Sequence, residues 1–533
     1  MTTLNTLQPD IIKYVLADML RTKDKLNIFI INRTFNAYII DIYLDSSYYP
    51  RFPSLNLHTF KIKSYTIWPK TIDVIPFIPS YIKGLHLCPL DTYMWENIQF
   101  PSNLRLLDVH ISDKVNFSKG KLPSNLHTLI LREFNQPLKK GDLPSNLHTL
   151  EFDGKLFDQC IGEDILPINL HTLDFGGVRT YNQPILPNVL PPNLRKLHFG
   201  DCYNQPILPK VLPANLHTLS VSINFNQILW PNILPDNLHT LSLGLFFEQS
   251  IPKYALPSNL HTLKFANIFE QPIEENVLPA NLHTLDLGLN FDQPILPNTL
   301  PPNLHTLILG YTFDQPIEEN VLPPNLHTLY FGYNFNQPIL PNVLPNRLHT
   351  LIFECTFNQI INENVLPSNL HILKFGIAYN QSIKENILPT NLRILEFGNN
   401  FNQVLFPNVL PSNLHTLHFG NHFNKSLLPN SLPTHLRILI LNRNFNKPIL
   451  PNVLPTNLHT LIFGEKFNKP ILPNVLPYSL YVLEFGKHFN QYIGVGVLPP
   501  KLIKLKFGKH FDQYILPSNI PKMIRGDIYY SKM

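Results

Sequence analysis

L-P-P-N-L-H-T-L-Y-F-G-Y-N-F-N-Q-P-I, residues Leu322 to Ile339, is one full statement of a phrase that recurs along almost the whole chain. Its Leu329 belongs to a column that falls every 22 residues from Leu197 to Leu505, through Leu219, Leu241, Leu263, Leu285, Leu307 and Leu351. A fixed period of this length marks a stacked solenoid, in which each short unit buries its apolar face only against its neighbours. Upstream the register continues with small slips through Leu85, Leu107, Leu129, Leu150 and Leu173, and a degenerate copy, F-P-S-L-N-L-H-T-F, begins at Phe52. The count is 20 units over roughly residues 50 to 520, with the Phe52 copy and a half-copy near Ile520 and Pro521 as caps.

Within a unit such as Leu216 to Asn226, the apolar positions Leu216, Leu219, Val221 and Phe225 give L-x-x-L-x-L and then an aromatic. The L-x-L pair has the period of two of a short strand with one buried face. The other half of the unit carries two or three prolines, such as Pro206, Pro209 and Pro213. Proline lacks the amide donor and clashes with the preceding turn, so an outer helix is excluded and extended or single-turn segments are expected there. The expected class is a mostly β solenoid, leucine-rich-repeat-like and helix-poor on its convex side. At ~4.8 Å per strand, twenty strands would span about 100 Å.

Composition bounds the function. The chain holds 42 basic and 37 acidic side chains, a net +5 over 533 residues, which does not point to nucleic acid. No apolar stretch approaches the ~20 residues of a membrane helix. Residues 1 to 25 lack the basic start and apolar run of a secretory leader. Cys88, Cys160, Cys202 and Cys355 have neither a pairing nor a metal-ligand spacing and read as reduced thiols, so an intracellular, cytoplasmic location is expected. The chain has no phosphate-binding loop, no H-E-x-x-H and no G-x-S-x-G, and no unit whose acids or nucleophiles break the repeat to form a cleft. No enzymatic activity, cofactor or metal is therefore expected.

Fourteen of the 22 histidines occupy one repeat position, from His58 and His127 through His305, His327 and His349 to His459. On adjacent strands they would form a ladder at about 5 Å. A zinc site needs ligands converging on a point, whereas a ladder diverges along a line. Arg195, Arg393 and Tyr481 also occupy the position, so packing and hydrogen bonding are its expected role. Asn215, Asn237, Asn281, Asn303 and Asn325 precede each strand and are expected to bond backbone groups of neighbouring turns. Phe225, Phe247, Phe269 and Phe291 should stack as an inner spine.

A partner is expected where the repeat varies and faces solvent. Two variable columns, one inside the strand and one just after it, would bring Ile308, Tyr311, Tyr330, Tyr333 and Ile352 onto one surface, an apolar and aromatic patch suited to protein binding. Toward the C-terminus the columns turn basic at Arg443, Lys466, Lys487, Lys506 and Lys509.

The phrase F-N-Q-P-I at Phe335 to Ile339, with F-D-Q-P-I at Phe291 and Phe313, resembles the FNIP repeat. That family is a leucine-rich-repeat relative abundant in amoebae and in giant viruses that infect them. The resemblance implies such a source, and the host cytoplasm if the source is viral. It supplies no biochemical activity.

Residues 1 to 45 follow another rhythm. Ile11, Ile12, Val15, Leu16, Met19 and Leu20 recur at helical spacing, and a second apolar cluster with Leu26, Phe29, Ile30 and Phe35 is read as a further helix. Three parts are expected: a helical module over 1–45, the solenoid over 46–520 and a cap or tail over 521–533. The first part resembles an F-box. Leu7, Pro9, Asp10, Ile11, Ile12, Val15 and Leu16 match its opening helix, Asp24 and Leu26 its middle, and Asn32, Arg33 and Phe35 its close, although the proline comes one residue late and Phe35 stands for the usual tryptophan. The resemblance implies a substrate adaptor that docks on the small adaptor subunit of a cullin-RING ubiquitin ligase while the solenoid holds a client protein. The alternative is a non-catalytic scaffold whose N-terminal helices only cap the first repeat.

Overall fold

The computed structural model describes residues 82–90, 92–111, 121–154 and 156–515, the strands at 28–32, 38–45, 64–68 and 529–530, and the single residues Ile78 and Asn519. The chain divides into two compact units, Met1–Leu245 and Phe246–Met533. In the first, β1 (Ile28–Asn32) runs antiparallel to β2 (Tyr38–Asp45). Parallel pairing then leads from β2 to β3 (Ser64–Trp68), β4 (Gly84–Leu90) and β5 (Leu106–Ile111). It continues strand by strand to Thr240–Ser242. In the second unit it runs from Thr262–Lys264 to Lys504–Phe507 and ends on Tyr529–Tyr530. The register follows the sequence period, with Leu285, Leu307, Leu329 and Leu351 facing one another in turn. The fold is the expected parallel, helix-poor solenoid, and Thr92–Asn97 is the one α-helix among the described residues.

One expectation changes. The cluster read as a second helix contains β1, so Phe29 and Ile30 lie in a strand. The run I-F-I-I is β-branched and aromatic, a composition that favours a pleated surface over a helix. Tyr529–Tyr530 pairs with the last repeat strand, within the 521–533 segment expected to be a cap or tail. Residues 1–27 and 33–37, with Leu7, Pro9, Asp10, Ile11, Ile12, Val15, Leu16, Leu26 and Phe35, lie outside the described residues.

Each unit has a short strand because only T-L-x alternates. Leu307 is buried while Thr306 and Ile308 on either side are half-buried, and the same pattern recurs in most units. In P-x-N-L the proline carbonyl accepts the leucine amide, as Leu326 N–H donates to Pro323 O at 3.1 Å, which closes a β-turn before the strand. Leu326, Leu329, Phe331 and Phe335 fill the interior. Phe331 and Phe335 stack within one unit at 3.9 Å, and Phe313–Phe335 and Phe335–Phe357 stack between units at 6.2 and 6.0 Å. The expected spine is thus a double file of rings. A leucine from this interior cut to alanine would cost about 2–5 kcal/mol.

Three features hold the units at a constant spacing. The asparagine or aspartate of F-N-Q accepts the amide of its counterpart one unit on: Asn336 N–H donates to Asp314 Oδ1 at 2.8 Å, Asn358 N–H to Asn336 Oδ1 at 2.9 Å and Asn380 N–H to Asn358 Oδ1 at 2.8 Å. The following glutamine adds a bond to the same neighbour, Gln381 Nε2 to Asn358 O at 2.8 Å. Glycine after the strand permits close backbone approach, since a Cβ on Gly376 would lie 0.9 Å from the Glu354 carbonyl oxygen. On the proline-rich side a left-handed residue turns the chain, with φ of 66° at Asn298 and Asn320 and 68° at Asn342. Asparagine tolerates that region better than other L-residues.

Candidate functional site

The strand-exit edge of the second unit carries a continuous track. Each rung is held to the last by one backbone bond: Thr312 N–H to Leu289 O at 2.8 Å, Asn334 to Tyr311 at 2.9 Å, Thr356 to Tyr333 at 2.9 Å, Ala378 to Cys355 at 2.7 Å and Asn400 to Ile377 at 2.9 Å. The side chains at Leu289, Tyr311, Tyr333, Cys355 and Ile377 therefore follow one another along a file. Leu289, Tyr311 and Ile377 are each 45–46% exposed, a large fraction for such residues. Tyr311 and Tyr333 stack at 4.4 Å and 13°. A bond with Cys355, and the neighbouring Tyr311, push the Tyr333 hydroxyl up to about 12.

Beside this file, Ile308, Tyr330 and Ile352 face one another across adjacent strands and are half-buried. All five residues expected to form the patch thus lie on two neighbouring columns of three consecutive units. Farther along, the file becomes polar and then basic through Asn399, Asn421 and Arg443. A cavity of about 350 Å³ opens there against Ile377, Asn399, Asn421, His422, Arg443 and Lys466.

The corresponding face of the first unit is charged and internally paired. Arg132 donates to Asp108 from Nε at 2.6 Å and from Nη2 at 3.0 Å, and also binds Asp153. His86 Nδ1 lies 2.9 Å from Asp108 Oδ2. These partners hold the Asp108 carboxyl below its ordinary value although burial pulls the other way. Asp174 lies 3.1 Å from His198 and raises that imidazole above its usual value. Burial, and then Asp174 and Asp153, push Glu151 upward.

The histidine ladder is built as expected, with centroid spacings of 4.9 to 5.3 Å from His283 to His349 and on to His371. Its chemistry is fixed by a bond that sequence reading missed. His305 Nδ1 and His327 Nδ1 each lie 2.7 Å from the carbonyl oxygen two residues back, Asn303 O and Asn325 O. A carbonyl only accepts, so Nδ1 carries the proton and Nε2 is left as the acceptor in the neutral ring. The asparagines behave as expected, Asn303 Nδ2 donating to Ala280 O at 3.1 Å and Asn325 Nδ2 to Pro302 O at 3.0 Å. Among the described residues no three His, Cys, Asp or Glu side chains converge on a metal position. No helix among them is long and apolar enough to cross a membrane.

The FNIP repeat model matches the chain in overlapping stretches from residues 134–177 to 489–525, which together span most of it. This chain belongs to the FNIP repeat family. It is similar to a crystal structure described as CroV588, a novel circular LRR protein structure, at 38% identity and a TM-score of 0.72, over 87% of this chain and 74% of that one. A chain of the Drosophila Toll–Spatzle complex shares 12% identity at a TM-score of 0.49, over 89% of this chain and 69% of that one. No curated protein matches the sequence. Within this chain the strand, the spine and the asparagine ladder recur at fixed positions, whereas the position of Tyr311 and Tyr333 varies from unit to unit.

Proposed function

We propose that this FNIP repeat chain is a non-catalytic protein-binding solenoid whose partner sits on Ile308, Tyr311, Tyr330, Tyr333 and Ile352. One observation carries the reading: these residues form two adjacent columns on rigidly bonded rungs, with Tyr311 exposed and Tyr330 and Tyr333 half-buried beside it. Tyrosines on a fixed backbone are low-entropy anchors of the kind that dominate protein interfaces. The test compares partners captured by the full chain and by the Tyr311→Asp, Tyr333→Asp double variant. The reading expects the captured protein to be lost at an unchanged thermal midpoint, and an unchanged set of partners would overturn it.

The narrower proposal is that the captured protein is a client delivered to a cullin-RING ubiquitin ligase. It rests on the F-box-like residues Leu7, Pro9, Asp10, Ile11, Ile12, Val15, Leu16, Leu26 and Phe35, with a cytoplasmic location and an amoebal or giant-virus source implied by the same resemblances. The strand at Ile28–Asn32 departs from an all-helical module and favours the alternative, in which this segment caps the sheet. The two separate on one measurement. A ligase adaptor must bind the small adaptor subunit through its first 45 residues and lose it on Ile11→Glu with Leu16→Glu, whereas a cap loses only stability.

A further inference from the structure

The apolar file does not end at Ile377; it changes character along the same rungs. The backbone bonds continue without a break: His422 N–H to Asn399 O at 2.8 Å, Asn444 to Asn421 at 2.9 Å, Lys466 to Arg443 at 2.9 Å, His488 to Glu465 at 2.9 Å and His510 to Lys487 at 3.2 Å. The side chains of this file therefore run from Tyr311, Tyr333 and Ile377, through the amides of Asn399 and Asn421, to Arg443, Glu465, Lys487 and Lys509, with Lys466 on the column beside Glu465.

Charge in this half is uncompensated. Between Phe397 and Phe511 the sequence holds eleven lysines and arginines against two acids, Glu465 and Glu484. Both acids are already engaged, Glu465 with Arg443 at 3.1 Å and Glu484 with Lys504 at 2.7 Å and Lys506 at 3.7 Å. Among the described residues Lys466, Lys487 and Lys509 have no carboxylate at ion-pair distance. His510 feels the crowding, its imidazole held below the usual value by lost solvation and by the positive charges of His488, Lys509 and Lys487.

We propose that the strand-exit track from Tyr311 to Lys509 binds one extended protein segment that is apolar at one end and rich in Asp and Glu at the other. The proposal deepens the protein-binding reading and rests on it. Ten rungs, nine steps of ~4.8 Å, give a track of about 43 Å, the reach of about 13 residues of extended chain at ~3.3 Å each. The apolar end covers Tyr311 to Ile377. Asn399 and Asn421, whose amides both donate and accept, border the cavity in the middle and suit main-chain groups. The carboxylates meet Lys487 and Lys509 on the file and Lys466 beside it, where unpaired cations steer and hold an acidic partner, while Arg443 is already bound to Glu465. Single-stranded nucleic acid fits less well. It needs aromatic faces beside its phosphates, whereas the tyrosines of this track lie rungs away from the cations and stack on each other with no gap for a base.

The experiment measures fluorescence anisotropy of synthetic 14-residue probes with the full chain. The probes are an apolar block (Leu, Tyr, Ile) joined to a glutamate block in both orders, each block joined to a neutral Ser/Gly half, and a 14-nucleotide oligothymidine. The proposal expects one composite order to bind at least tenfold tighter than either single-block peptide, and to weaken as salt rises. Lys487→Glu with Lys509→Glu removes that advantage and leaves the apolar–neutral peptide unaffected; Lys487→Gln with Lys509→Gln loses part of it and controls for misfolding. A composite that binds no tighter than the apolar–neutral peptide, or an oligothymidine that binds tighter than the composite, overturns the proposal. A composite indifferent to charge reversal but lost on Tyr311→Asp with Tyr333→Asp overturns it too, yet leaves the tyrosine surface standing. A composite indifferent to both double variants overturns both readings.

Discussion

The same strand position is solved in opposite ways in two stretches of the molecule. In the first unit, the outward column and the one beside it hold His86, Asp108, Arg132, Asp153, Asp174 and His198, and most of these charges are consumed by one another. In the second, the equivalent column returns to paired charges at Lys374, Glu396 and His418, but before them it holds Ile308, Tyr330 and Ile352, with Tyr311 and Tyr333 beside it. Backbone, register and spine are shared. A closed ion-pair network stabilises its own fold and offers little to a partner, whereas an apolar column gains most when something else covers it.

The comparison can be broken first at what both units have in common. Gly376→Ala places a methyl group inside the van der Waals radius of the Glu354 carbonyl, and should lower stability by about 3 kcal/mol, read from urea unfolding; a change under about 0.5 kcal/mol would show that the rungs can slide apart. Asp108→Ala removes the shared acceptor of Arg132 and His86. Because Arg132 is part-exposed, the expected loss is about 2 kcal/mol, below that of a fully buried pair. Tyr311→Ala should change stability by less than about 1 kcal/mol, because an exposed side chain contributes little to the fold, while partner binding falls; equal losses of stability at Asp108 and Tyr311 would erase the contrast.

Two smaller effects sharpen it. Tyr254 and Lys210 occupy the left-handed turn where most units have asparagine, at φ of 65° and 66°. Tyr254→Asn should raise stability by about 0.5–1 kcal/mol, visible as a higher thermal midpoint. Acid should act with opposite signs in the two units. His198 is raised by Asp174, so its stabilisation is present below about pH 6.5 and is lost as pH rises through its folded value. His418 is lowered by burial and then by Lys374, against the pull of Glu396, so its rung loses stability as pH falls below about 6.5. Between pH 7.5 and 5.5, hydrogen exchange corrected for intrinsic rates should slow around His198 and quicken around His418. The same direction in both would refute the assignment.

What the sequence made legible was whatever depends on period. Leu329 and its column, the Phe spine and the Asn303 amide bonds all follow from residues recurring at one spacing, because parallel stacking converts sequence period directly into spatial register. The residues proposed for binding stood out for the same reason, since Tyr311 and Tyr333 fall at a position the phrase leaves variable. Features that depend on dihedral angle or on backbone approach were not. Nothing in P-N-V-L announces that Asn342 is left-handed, and the glycine of F-G reads as a turn until Gly376 is seen against Glu354 O. At Phe29 and Ile30 a helical spacing was weighed above the β-branched composition that governs so short a segment. That the columns turn basic at Arg443 and Lys487 was legible from the period too, but which of these residues share one file needed the rung-to-rung backbone bonds.

The asparagine ladder also gives the solenoid a direction. Asn336, Asn358 and Asn380 each donate a backbone amide toward the preceding unit, and the amide side chains of Gln381 and Asn303 point the same way. A coil removed from the C-terminal side takes most of the inter-coil donors with it and leaves behind chiefly acceptors, which tolerate being undersatisfied, although a strand amide such as Leu309 N–H, which donates forward to Tyr330 O, also loses its partner. One removed from the N-terminal side strands a row of N–H groups, which do not. The stack should therefore shorten more readily from its C-terminal end, and each new coil finds its acceptors already in place on the coil before it.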